Sequence, residues 1–304
     1  PSVVASGTVI GPVLADDSGL GTHMLRGATV VSGGADTQCS LLGCGVYRPN
    51  QVAIVAGTTS PIQMVVSRPL LDPLMRTWTS LHVVPNSWVL ESNAGKTGFT
   101  YAWLADMIGA LCGVEATNEV YALLDRLAQE SPPGAGGLTF ALEPVAMGEC
   151  KAGPAFRGAV FGLNCTGKDR TTASHLARAL MENMAAAYSA NLEQLERVSG
   201  EPIDSVVMCG GSTKSRVQTQ IIADSSGRTV RVPKEPETTM LGAAIRASVA
   251  CGIHGSLDEA VSEMTSLGDE LRPDCNARDL YACQHDRWQQ LRSMAVDLSM
   301  NTEV

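Results

Sequence analysis

Three glycine-rich turns, each entered from a short apolar run, constrain this chain more than any other feature. They are Ser32-Gly33-Gly34-Ala35-Asp36-Thr37-Gln38, Ala56-Gly57-Thr58-Thr59-Ser60 and Met208-Cys209-Gly210-Gly211-Ser212-Thr213-Lys214. Short apolar strands alternating with helical spacing are the signature of an α/β layer fold. Glycine also lets a backbone approach a phosphate or a base closely, and an acid beside such a turn can take a proton from a hydroxyl. These are the parts that phosphoryl transfer needs.

Along the chain the pattern divides into residues 1–47, 48–254 and 255–304. The first region holds a Gly/Pro turn near Gly11-Pro12, a strand from Ala28 to Val31, the Asp36 turn, and a helix through Ser40, Leu41 and Leu42 stopped by Gly43 and Gly45. Tyr47-Arg48-Pro49-Asn50 reads as a linker. The apolar run Val52-Ala53-Ile54-Val55, the Gly57-Thr58-Thr59 turn and a returning strand from Gln63 to Val66 predict a hairpin with the turn at its tip. Helical spacing follows over Trp103 to Ala110 and Val120 to Gln129, then a Pro/Gly loop from Ser131 to Gly137 and a strand from Leu138 to Leu142. From His175 to Val198 the residues Leu176, Leu180, Met184, Ala187, Asn191, Leu192 and Leu195 fall near one face, with Gly200 as the stop. Strands at Ser205 to Cys209 and Thr229 to Val232 alternate with helices at Ser215 to Asp224 and Thr238 to Ala250. The third region reads as two polar helices, Leu257 to Met264 and Asp279 to Met300.

At 304 residues the chain can hold two domains, and 22 basic against 31 acidic residues give a formal charge of −9. That balance argues against broad binding to nucleic acid or an anionic membrane and favours small-molecule partners. The nine cysteines stand singly, in no zinc or disulfide pattern. No apolar stretch approaches membrane-spanning length and no signal peptide is visible, so a cytoplasmic location is expected. The chain opens on Pro1, already close to a turn, which reads as the start of a fragment.

Asp36 follows the glycines that end an apolar strand, where it can act as a base toward a substrate hydroxyl or orient a magnesium ion. Its alternative role is to N-cap the following helix. Gly57-Thr58-Thr59-Ser60 offers backbone N–H groups and three hydroxyls to phosphates, or is a plain hairpin turn. Gly210-Gly211-Ser212 lets adenosine lie against the backbone with Lys214 beside it, or is a tight strand-to-helix connection. Neither a Walker A motif nor a dinucleotide fingerprint is present.

In order and spacing the three turns resemble the FGGY carbohydrate kinases, and the likeness runs over nearly the whole chain. Further stretches agree: Gly7-Thr8-Val9-Ile10-Gly11, Arg157-Gly158-Ala159-Val160-Phe161-Gly162-Leu163, Ile222-Ala223-Asp224 and Leu241-Gly242-Ala243-Ala244. The resemblance implies a ribonuclease-H-like, actin-like ATPase fold of class α/β. It makes residues 1–47 the last segment of an N-terminal domain, 48–254 the C-terminal nucleotide-binding domain, and 255–304 terminal helices. It further implies Asp36 as catalytic base, with Thr37 beside it at the substrate and the metal held indirectly through Mg-ATP. Gly57, Thr58 and Thr59 would meet phosphate, and Gly210, Gly211, Ser212 and Lys214 adenosine. The expected cofactors are ATP and Mg2+; the expected partners are ATP and a small carbohydrate or polyol, with a homodimer left open.

Within the family, Leu81-His82-Val83-Val84-Pro85, Arg178 to Asn183 and Ser189 to Leu195 look most like autoinducer-2 kinases, with xylulokinase-like enzymes next. Ala35 and Ala56 depart from the family pattern, as does Thr59-Ser60-Pro61, where proline removes a backbone donor. The family's first-domain Asp-x-Gly-Thr-Thr element is absent, so the alternative is a noncatalytic nucleotide-binding fragment. On this reading the isolated chain is inactive and the helix from Thr37 to Leu42 lies with an apolar face uncovered.

Overall fold

A computed structural model describes residues 2–13, 26–113, 118–148 and 158–300. Its centre is a mixed seven-stranded sheet built from β3 (Val52–Val55), β4 (Pro61–Val66), β5 (Trp78–Leu81), β6 (Trp88–Asn93), β9 (Ser205–Cys209), β10 (Thr229–Pro233) and β11 (Leu267–Leu271). The strand order is β11-β10-β9-β3-β4-β6-β5. β3, β9 and β10 run parallel, and the remaining pairings are antiparallel. Two small antiparallel pairs stand apart: β1 (Val9–Pro12) with β2 (Thr29–Val31), and β7 (Thr139–Ala141) with β8 (Ala159–Phe161).

The continuous apolar run of β3 follows from burial on both faces. Val52 and Ile54 join the large core with Ile62, Met64 and Val66 of β4, whereas Ala53 and Val65 turn to the opposite side, against Leu41 and Cys44. The large core is organised around α4 (Ala173–Ser199), buried along almost its whole length and ended by Gly200 at φ +76°. α2 (Thr97–Cys112), α3 (Asn118–Glu130), α5 (Arg216–Ser226) and α8 (Arg278–Met300) contribute to the same core. The other face carries α1 (Asp36–Gly43), with α6 (Thr238–Ala250) and α7 (Leu257–Met264) packed around it.

α1 is not left uncovered. Residues Gln38 to Gly43 are buried, and α1 crosses α6 with backbones in contact. A Cβ on Gly242 would lie 1.8 Å from the Cys39 carbonyl oxygen, and one on Gly43 would lie 1.9 Å from that of Thr238. Only two glycines allow this approach, which is the physical reason for the Leu241-Gly242-Ala243-Ala244 stretch.

The structure corrects other expectations. Gly11-Pro12 is not a turn but the end of β1, whose register slips between Val9 and Gly11. Between the two terminal helices the chain makes β11, an edge strand antiparallel to β10, which Leu267-Gly268-Asp269-Glu270-Leu271 did not announce because four of its five residues are exposed. Ala35, not Asp36, is the N-cap of α1; Asp36 is its first helical residue and accepts from the Thr37 N–H at 2.7 Å. Arg157 lies outside the described residues. No described helix is long and apolar enough to cross a membrane.

The helix crossing yields a stability prediction. Gly242→Ala should destabilise the fold by about 3 kcal/mol in urea denaturation, because its methyl meets backbone that cannot move without separating α1 from α6. Gly33→Ala, with nothing within 4 Å of the added carbon, should stay within about 0.5 kcal/mol of wild type.

Candidate active site

β3 and β9 are parallel neighbours, with Val55 opposite Cys209, so the chain leaves both strands at the same edge. Crevices at the carboxyl ends of parallel strands are where α/β sheets bind ligands. Here the two turns are joined through Ala56. Its N–H donates to the Cys209 carbonyl at 2.7 Å, and its carbonyl accepts from the Ser212 N–H at 3.2 Å. Gly210 makes this possible: its φ is +95°, and a Cβ there would sit 2.5 Å from the Ala56 oxygen.

Beside the joined turns opens a cleft of about 790 Å³, lined by Gly57 and Thr58, by Gly211, Ser212 and Lys214, and by residues of α2 and α3. α2 begins against the first turn: Gly98 donates to the Thr58 carbonyl at 3.1 Å, and a Cβ on Gly98 would lie 2.4 Å from the Gly57 oxygen. The positive end of a sixteen-residue helix therefore abuts Gly57-Thr58, an arrangement suited to anionic groups. The α3 wall presents Asn118, Tyr121, Ala122 and Asp125, at spacings of three and four that share one helix face. Tyr121 and Tyr101 pair with centroids 5.3 Å apart.

Of the residues singled out in the sequence, Gly57, Thr58, Gly211, Ser212 and Lys214 come together at this cleft. Gly210 lies beneath as the spacer, and Thr59 is exposed at the hairpin tip without lining it. The Ser60 hydroxyl faces inward instead of toward a ligand, within 2.5 Å of Thr97 Oγ1 and 2.8 Å of the Tyr188 hydroxyl. Pro61 opens β4, a position where a strand tolerates a missing N–H. Phe99, Tyr101, Asn118, Tyr121 and Asp125 were missed; the repeat of polar and aromatic residues at 118, 121 and 125 was the signal available.

Asp36 and Thr37 do not line the cleft. Asp36 is exposed at the start of α1, four residues and so one turn from Ser40. Ser40 Oγ lies 3.3 Å from the Cys209 sulfur and 2.7 Å from Thr238 Oγ1, which anchors α1 beside the strand that delivers Gly210. The Asp36 turn is held from its other side by β5 and the loop after it. Val83 fills the space a Gly34 side chain would need, with its Cγ1 2.2 Å from that Cβ position, and Gln38 donates to Ser80 at 3.2 Å.

A model of the C-terminal domain of the FGGY family of carbohydrate kinases matches residues 52–251. The chain belongs to this family. FGGY relatives include the autoinducer-2 kinases of Yersinia enterocolitica, 33% identical over 291 residues, and of Escherichia coli K12, 32% identical over 291 residues. Each alignment takes in 94% of this chain and 54% of the relative, so the chain spans about half the length of the curated relatives it matches. Among solved structures, the xylulose kinase of Rhodospirillum rubrum superposes with a TM-score of 0.81 at 28% identity, covering 98% of this chain and 58% of that one. The FGGY likeness makes the sheet and its helices an actin-like ATPase fold.

His82, in the loop that supports the Asp36 turn, provides a pH prediction. Burial holds its pKa down to about 4 from an ordinary 6.5, and its Nδ1 accepts from the Val84 N–H, so the folded ring is neutral. The unfolded chain takes up this proton near pH 6.5 and the folded chain only near 4. Stability from this group is thus complete above 6.5 and falls by about 3 kcal/mol as pH drops to 4. Urea denaturation between pH 7.5 and 4 should show this component in the wild type, and His82→Gln should lack it, so that the wild-type-minus-variant difference isolates it.

Proposed function

We propose that this FGGY domain serves ATP-dependent phosphorylation of a hydroxyl on a small sugar, polyol or autoinducer-2-like molecule. The observation that carries the reading is the cleft itself, which joins two glycine turns through Ala56 and places a helix N-terminus against one of them. Its volume suits a nucleotide. Phosphate oxygens lie at Gly57 and Thr58, with Thr59 at the tip; the Gly57 N–H is committed to the Val55 and Thr59 carbonyls at 3.1 Å, so Gly57 gives close backbone approach while the Thr58 N–H and the α2 dipole favour negative charge. Adenosine lies along Gly210 to Ser212, Lys214 beside it, and the Tyr101–Tyr121 pair forms an aromatic wall.

Asp36 is the base. Its carboxylate is exposed and its recorded hydrogen bond is from the adjacent Thr37 N–H, which leaves acceptor capacity for the proton of an attacking hydroxyl. Thr37 places a second hydroxyl next to the acceptor. Magnesium would arrive on the nucleotide phosphates, as oxygen-bound Mg2+ commonly does in phosphoryl transfer. Asp36 is the residue that would hold it, indirectly, and the ion would supply charge neutralisation at the transferred phosphoryl group. The segment 1–47 thus brings the acid, and 48–254 brings the nucleotide.

The 33% identity to an autoinducer-2 kinase supports an autoinducer-2-like acceptor, and the likeness to a xylulose kinase supports a pentulose as second reading. The test is sugar-dependent ADP release by the protein carrying this sequence, with a panel of pentuloses, polyols and the autoinducer-2 precursor. Turnover with one of them is expected. Asp36→Asn should lower that turnover by about two orders of magnitude or more while ATP affinity stays within about two-fold. Near-normal turnover in the variant would remove Asp36 from the role of base. ATP binding with no transfer to any acceptor would leave a noncatalytic nucleotide-binding domain.

A further inference from the structure

Asp125 is the only acid among the described residues that line the cleft. It stands on α3, and one of its oxygens is fixed from two other walls. Oδ1 accepts from Ser215 Oγ at 2.7 Å and from the Tyr101 hydroxyl at 3.2 Å. Ser215 ends the Gly210–Lys214 turn and caps α5 by accepting from the Gln218 N–H at 3.1 Å, while Tyr101 belongs to α2. The carboxylate therefore sits where three cleft elements meet, and its orientation is set before any ligand arrives.

Oδ2 accepts no hydrogen bond from a described residue. Tying α3 to Ser215 and Tyr101 uses Oδ1 alone, a task that a neutral amide oxygen would perform without the cost of placing a charge in a partly buried cleft. The charged form is useful where a ligand brings a donor. The α3 stripe from Asn118 to Asp125 spans about 10 Å at 1.5 Å rise per residue, comparable to a nucleoside. Tyr121 and Tyr101 line the cleft with it.

Resting on the nucleotide reading of this cleft, we propose that Asp125 is a specificity residue whose Oδ2 accepts a hydrogen bond from a donor on the bound nucleoside. A carboxylate offers only acceptors, so it favours a ligand that presents an N–H or O–H at that point and rejects one that presents a carbonyl or nothing. On an adenine nucleotide the donors are the 6-amino group and the ribose hydroxyls.

The experiment is calorimetric titration of the chain with ADP, IDP, 2′-deoxyADP and 3′-deoxyADP. ADP should bind at least about ten-fold more tightly than one of the three analogues, and the analogue that loses names the donor: IDP the amino group, a deoxy form the corresponding hydroxyl. Asp125→Asn keeps an oxygen for Ser215 and Tyr101 but cannot offer two acceptors. It should bring ADP and that analogue to within about two-fold, with a melting temperature within a few degrees of wild type. Equal binding of all four nucleotides by the wild type would overturn the proposal while leaving the cleft a nucleotide site, and this comparison decides even if the variant does not fold. Discrimination that survives in Asp125→Asn would also overturn it. Absence of ADP binding would remove both the proposal and the reading on which it rests.

Discussion

The Ala56 peptide holds the candidate site together. It is fully buried; its N–H is committed to Cys209 at the end of β9 and its carbonyl to Ser212 in the turn that follows. A backbone polar group buried without a partner is costly, so these two hydrogen bonds fix how the Gly57-Thr58 hairpin and the Gly210–Lys214 turn sit relative to each other. The other walls of the cleft meet these two turns. The start of α2 is held against the first turn by Gly98 N–H on the Thr58 carbonyl, Ser215 caps α5 where the second turn ends, and Asp125 of α3 accepts from Ser215. The glycine at 210 is required by sterics before any ligand is considered, because the Ala56 oxygen occupies the place of its side chain.

A second close approach locates the proposed base. α1 and α6 touch through Gly43 and Gly242, and Ser40 on α1 reaches Cys209 at the end of β9. The helix that starts at Asp36 is thereby tied to the strand that leads into the Gly210–Lys214 turn. Loss of the helix crossing would change stability and the relation of Asp36 to the nucleotide together, which couples packing to the proposed chemistry.

Much of this was legible in the residues. Val52 to Val55 reads as a buried strand because both faces are covered, and the segment from Leu176 to Leu195 reads as a core helix because its apolar residues recur on one face, with Gly200, left-handed in the structure, as its stop. The turns at Gly57 and Gly211 were visible as glycine breaks after apolar runs. What could not be read depends on contacts distant in sequence. β11 exists because β10 offers it an edge, not because its own residues are apolar. The inward turn of Ser60 depends on Tyr188, 128 positions away, and the cleft role of Asp125 depends on Ser215, 90 positions away. The covered state of α1 depends on α6, where a glycine spaced for helix contact looks the same as any helix glycine until its partner is known.

The central claim is that two backbone-joined turns form one nucleotide site in this FGGY domain. A crystal structure of the chain with ADP tests it most directly. The account predicts phosphate density against the Gly57 backbone, at the Thr58 N–H and the start of α2, with the nucleoside between Gly211 and the Asn118–Asp125 face of α3. A nucleotide bound elsewhere on the chain, or one that reaches only one of the two turns, would contradict it.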